Sequence, residues 1–198
     1  MKHPLEFLPP EARKPAFLLF LVFTILLFAI FRFLDVPLRT KAAPNGIVSF
    51  ELAGTRERAS EMLASWGGLN ELGGLMLFQP ARSYLAFGLG LDYLFMPVYA
   101  IALALAVLLA SGRHTGRLGR VGTWVGWAAL AAPFFDAVEN YALLQLALGR
   151  IVAPWPGSAA FCASVKFALL AVGIVYALAA WLLPAKRFRR EHLESSVS

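Results

Sequence analysis

Four apolar runs, each long enough to cross a bilayer as a helix, divide the chain: residues 16–34, 83–110, 121–148 and 158–183. A hydrocarbon core of roughly 30 Å takes about 20 helical residues, so runs of this length with few charges predict spanning helices. Over residues 16–31 only Thr24 interrupts Phe, Leu, Ile, Val and Ala, which offer lipid contact and packing but no chemistry. Lys2, Arg13 and Lys14 precede this run, as they would in a signal peptide. The run exceeds the usual h-region of about 7–15 residues, and no A-x-A-like site follows in Phe33-Leu-Asp-Val-Pro-Leu-Arg-Thr40. An uncleaved first span, with Arg32 snorkelling at its far end, is the expectation.

Residues 35–82 change to the composition of a folded loop, with Pro37, Pro44, Asn45-Gly46 and a large share of the acids. Ile47-Val-Ser-Phe-Glu-Leu52 alternates and predicts a short extended piece. Thr55 stands where it can cap a helix over residues 56–66, whose apolar face is Met62, Leu63 and Trp66. That face suits the bilayer surface or the mouths of the other helices. Gly67-Gly68 and Gly73-Gly74 then interrupt regular structure before Leu75-Met-Leu-Phe78. A connection this long without long helices is either a lid or binding loop, or a passive connector.

Composition strengthens the membrane reading. The 198 residues are 59% apolar and 15% charged, with mean hydropathy +0.67, whereas soluble domains carry about a quarter charged residues. The fold class expected is all-α: a single-domain, four-transmembrane-helix bundle with one larger extracytoplasmic loop between helices 1 and 2. The net charge of +6 does not predict nucleic-acid binding, because Lys and Arg cluster at the ends of apolar runs. Arg113, His114, Arg117 and Arg120 fill the turn between the second and third runs, Lys186-Arg-Phe-Arg-Arg190 follows the fourth, and Arg150 stands alone in the opposite turn. By the positive-inside rule both termini are cytoplasmic, in a cell (inner) membrane protein. The C-terminal basic group can act as a stop-transfer anchor or meet anionic lipid headgroups. Cys162, the single cysteine, rules out an intrachain disulfide and reads as a packing residue. His3, His114 and His192 fall in separate flanking segments, so neither a metal site nor paired haem ligation is expected. No Gly-rich phosphate loop or nucleophile elbow is present, and no cofactor is predicted.

Candidate chemistry is concentrated in Phe134-Phe-Asp-Ala-Val-Glu-Asn-Tyr141. Asp136, Glu139 and Asn140 stand at i, i+3 and i+4 and share a helix face. Residues 121–135 supply only about 22 Å of helix, so both acids fall inside the membrane. Ionisable groups there are costly and normally face a partner or a wet cavity. Counting outward from the basic ends, Asp92 lies about 21 residues from Arg113, Asp136 and Glu139 about 16 and 19 from Arg120, and Lys166 about 20 from Lys186, offsets of roughly 24 to 32 Å. These residues and Asn140 therefore share one depth, away from the cytoplasm. The flanking positions are compatible: Gly88, Phe95, Tyr99 and Ala102 accompany Asp92, while Ala159, Ala163, Leu170, Gly173 and Ala177 accompany Lys166. Pro97 and Pro133 free the carbonyls of Tyr93 and Ala129 near the acids, which predicts a small hydrated pocket or simply bent helices.

With Asp92, Asp136 and Glu139 ionised against Lys166, the site would hold a charge of −2. Some carboxyls must stay protonated, or an outside cation must complete the pairing. Four readings follow. The residues Asp92, Tyr99, Asp136, Glu139, Asn140 and Lys166 form a pocket for a lipid headgroup or a small amphiphilic or cationic ligand; Asp136 and Glu139 are acid–base catalysts on an amphiphilic substrate; the buried charges form a purely structural ion-pair network; or the cluster moves protons or cations. The last is disfavoured, because the cytoplasmic halves offer few polar relays beyond Thr123 and Tyr176. Membrane lipids are the expected partners, and an oligomer or larger complex is compatible with the sequence.

The pieces Gly46-Ile-Val-Ser-Phe-Glu-Leu-Ala53, Leu91-Asp-Tyr-Leu-Phe95 and Asp136-Ala-Val-Glu-Asn140 resemble those of a group of small four-span bacterial integral membrane proteins with no assigned activity. The resemblance covers most of the chain after the first helix. It implies the four-span architecture, and brings no cofactor or catalytic residue with it.

Overall fold

The computed structural model describes residues 2–67 and 80–184, with backbone only at Pro80, and all regular structure among them is helical. Four helices are long and apolar enough to cross a membrane: α1 (Pro10–Leu34), α4 (Pro80–Ser111), α5 (Arg117–Ala147) and α6 (Trp155–Leu182). Each begins a few residues before its apolar run. The difference is largest in α1, where residues 10–15, ahead of the first apolar run, are already helical. Pro10 opens that helix without loss, since a first-turn amide has no intrahelical acceptor.

Helix α4 is the hub, packing against α1, α5 and α6, while α5 and α6 pack on each other. Small side chains line these contacts: Ala129 and Ala132 of α5, and Ala159, Ala163 and Ala180 of α6, are fully buried, letting backbones approach closely where lipid supplies no hydrophobic drive. Helix α1 buries only Leu27 and Leu34 and exposes most of its large apolar residues.

At the other end from the α4–α5 turn, residues 35–67 fold into a cap made of a 3₁₀ turn (Val36–Leu38), α2 (Ile47–Glu51) and α3 (Arg56–Ser65). The expected extended piece at 47–52 is corrected here to a helix. Gly46 turns the chain with φ 57°, and the Asp35 carboxylate accepts the first helical amide, Ile47 N–H, at 2.7 Å, capping α2 from a distant residue. A Cβ on Gly46 would collide with that carboxyl. Arg39 holds the other Asp35 oxygen at 3.0 Å. In a strand, Phe50 and Glu51 would point to opposite faces; a helix lets both turn towards the bundle. Thr55 caps α3 as predicted, accepting from Arg58 N–H at 3.3 Å. Met62, Leu63 and Trp66 do form its apolar face, and it covers the bundle mouth: they join Phe50 in a core with Leu85, Leu89, Leu143 and Leu146. Trp66 donates its ring N–H to Leu38 O at 2.7 Å and meets Phe50 edge-on at 5.2 Å. Of the expected glycine breaks only Gly67 falls among the described residues; Gly68, Gly73-Gly74, Leu75-Met-Leu-Phe78 and the basic group at 186–190 lie outside them.

The N-terminal segment, a flank of the first apolar run by sequence, packs onto the bundle. His3 is buried against Gly126 of α5, where a Cβ would collide with its ring. Its Nδ1 accepts Leu5 N–H at 3.2 Å, and the Trp127 indole donates to Lys2 O at 3.2 Å. Burial pushes the imidazole down to about 4, so it is neutral at physiological pH. A base whose pKa falls on docking contributes stability above its free value, about 6.5, and loses it as pH drops towards 4. Amide exchange at residues 3–8, corrected for intrinsic pH dependence, should therefore accelerate between about pH 6.5 and 4 relative to the bundle. Gly126→Leu should give fast exchange at every pH. Unchanged protection at pH 4 would show that His3 does not hold the segment.

Candidate functional site

Asp136, Glu139 and Asn140 of α5 do share one face, and α4 and α6 bring their partners to it. Lys166 of α6 donates to Asp136 Oδ1 at 2.9 Å and to Glu139 Oε1 at 3.0 Å. Glu139 straddles the ammonium, with Oε2 2.8 Å away but off the donor axis. Tyr99 of α4 donates its hydroxyl to Asp136 Oδ2 at 2.8 Å. One turn nearer the cap, Asn140 donates its amide to Asp92 Oδ2 at 2.9 Å and to Leu89 O at 3.3 Å. The common depth inferred from helix counting thus becomes direct contact. All six predicted residues are brought together, as a Tyr99–Asp136–Lys166–Glu139 group beside an Asp92–Asn140 pair. Asp136, Glu139, Asn140 and Lys166 are buried, and Asp92 is partly open.

Sequence reasoning missed Glu51. It hangs from α2 in the cap, and its Oε2 reaches within 3.9 Å of Lys166 Nζ. That oxygen is buried without a hydrogen-bond donor. Burial pushes the Glu51 carboxyl above the usual carboxylate range against the opposing pull of Lys166. The available signal was a lone carboxyl in an otherwise apolar stretch, Ile47-Val-Ser-Phe-Glu-Leu-Ala53. Depth counting could not find it, since Glu51 lies outside every apolar run.

The cluster therefore holds four carboxyls against one ammonium, a formal sum of −3 if all ionise. Both oxygens of Asp136 are taken, by Lys166 and Tyr99. Asp136 and Glu139, the candidate acid–base pair, are both engaged by the same lysine. An apolar crevice of about 30 Å³ opens between α1, α4 and the cap, lined by Phe31, Tyr84, Leu85, Gly88 and Leu89 among others, and touches the cluster through Leu89. A larger open groove, about 630 Å³, runs between the starts of α3 and α6 and contains none of the six residues.

Comparison with known protein families, with curated proteins and with solved structures finds no match.

Proposed function

We propose that this chain is a four-span integral membrane protein, with both termini cytoplasmic and the 35–82 segment extracytoplasmic, whose buried cluster receives the cationic head of an amphiphile. The observation that supports this is the charge excess: three carboxyls surround one ammonium, a fourth, Asp92, lies beside them on Asn140, and Glu51 Oε2 is left without a donor. Buried carboxylates demand protons or cations, and an amine-bearing lipid offers a cation whose chains remain in the surrounding bilayer. Asp92, the most open of the six, is the first carboxyl such a head would meet.

Mass spectrometry of lipids retained by protein purified in mild uncharged detergent tests the ligand. Phosphatidylethanolamine should be enriched over phosphatidylglycerol relative to the host membrane, and Asp92→Asn with Glu139→Gln should erase the enrichment. No enrichment in the wild type would reject the reading in favour of a structural network, which the direct pairing of Lys166 with Asp136 and Glu139 favours. For topology, a cysteine placed at Asn45 should react only with external reagent and one at Thr115 only from the cytoplasmic side; the reverse pattern would overturn it.

A further inference from the structure

We propose that Glu51 and Glu139 share a single proton, and that this proton is the latch seating the cap over the cluster, so that access to the site is gated by its loss. The inference rests on the cation-site reading for the purpose of the gate, and on geometry alone for its existence. Ionised carboxylates only accept hydrogen bonds. Glu51 Oε2 and Glu139 Oε2 are nevertheless both buried beside the same Lys166 Nζ, 3.9 and 2.8 Å from it, and neither has a hydrogen-bond partner. Two such oxygens are satisfied together when one carboxyl is protonated and donates to the other, as in paired carboxyls of catalytic sites. Lys166 Nζ donates to Asp136 and Glu139 and stands 3.9 Å from Glu51, beyond hydrogen-bond reach, so it offsets the charge of the pair without giving Glu51 Oε2 a donor.

Glu51 faces Asp136 from α5, Asp35 from the end of α1 and Asp92 from α4, which oppose its ionisation, while Lys166 from α6, and Glu139 from α5 as the other holder of the shared proton, favour it. Desolvation adds to the acidic neighbours, so the proton is held above the ordinary carboxylate range. A latch built on a raised carboxyl is fully closed below the free value and is lost as pH rises through the bound one. Losing the proton to water leaves two carboxylates in contact, and their repulsion acts directly on α2. This helix has five residues and is too short to persist undocked. A cation entering between the two carboxylates would take over the proton's charge, leaving the sum unchanged while the proton leaves to solvent.

Cys162 provides a native reporter. It is buried on α6 one turn nearer the cap than Lys166, beside Ala159, which packs under the cap. In ligand-free protein, its modification rate by methanethiosulfonate ethylammonium should rise with pH more steeply in the wild type than in Glu51→Gln. The ratio of the two rates cancels the thiol's own titration and should grow by up to about tenfold per pH unit across the latch transition, the limit for one proton. Glu51→Met should likewise be pH-insensitive, and serves if the glutamine variant does not fold. As a second readout, the wild type's thermal midpoint should fall towards alkaline pH while those of the variants stay flat by comparison. Equal pH slopes in wild type and variants would overturn the latch. Because these measurements use empty protein, a failure to retain amine lipid leaves them intact, and equal slopes with retained lipid would reject the gate alone.

Discussion

Lys166→Met is expected to lower the thermal stability of the ligand-free protein more than any other single change in the cluster. Among the described residues the ammonium is the only cation contacting Asp136, Glu139 and Glu51, and methionine keeps its length while removing its charge and donors. Breaking a buried pair from one side leaves an uncompensated charge and typically costs about 3–5 kcal/mol, on the order of 10 °C for a chain of this size. The loss should shrink at acid pH, where protonation neutralises the abandoned carboxyls. Two partners at nearly equal distance also shape the rescue. Adding Glu139→Gln should recover only part of the stability, because Asp136 remains charged beside a single remaining donor, Tyr99. Adding Asp136→Asn as well should recover most of it, since neutral groups of similar size carry no comparable desolvation cost. Differential scanning fluorimetry in uncharged detergent reads the series. A silent Lys166→Met would mean that the carboxyls are neutral in the native protein and that the lysine balances nothing.

Phe50→Ala should release the cap while leaving the bundle folded. Phe50 is fully buried between Trp66 and the ends of the long helices, and truncating such a side chain costs about 3–5 kcal/mol through lost burial and the cavity left behind. Phe50 is one of the cap's main apolar anchors, beside Met62, Leu63 and Trp66 in the same core, and the polar ties are few: the Asp35 carboxylate on Ile47, the Trp66 indole on Leu38 and the Glu51 contacts. The contacts among α4, α5 and α6 nearer the termini, around Val107, Val125 and Tyr176, do not involve Phe50. Hydrogen exchange should therefore accelerate over residues 47–66 with little change in the middle of α5 and α6, and Cys162 should become reactive at neutral pH. Cap amides as protected as in the wild type would show that the polar contacts suffice.

The four long helices and the polar face of α5 were legible from the chain because their causes are local. Apolar runs of bilayer length leave the backbone no partner but itself, and the i, i+3, i+4 spacing of Asp136, Glu139 and Asn140 aligns them in any helix. Even the meeting of Asp92, Asp136, Glu139 and Lys166 could be read from counts along helices with a fixed rise. What only the tertiary structure decided lies where local preference is weak. The alternating Ile47-Val-Ser-Phe-Glu-Leu52 becomes helix α2 because Asp35, eleven residues before Gly46, supplies its cap and because the bundle mouth receives Phe50 and Glu51 together. The same packing carries Glu51 into the cluster, although no rule of span or depth includes it. His3, in a polar flank by sequence, is buried because Gly126 leaves room for an imidazole on a helix surface. Local sequence determines whether a segment can be a long helix; which short segment docks, and which lone carboxyl or imidazole goes under with it, depends on surfaces that exist only once the helices have assembled.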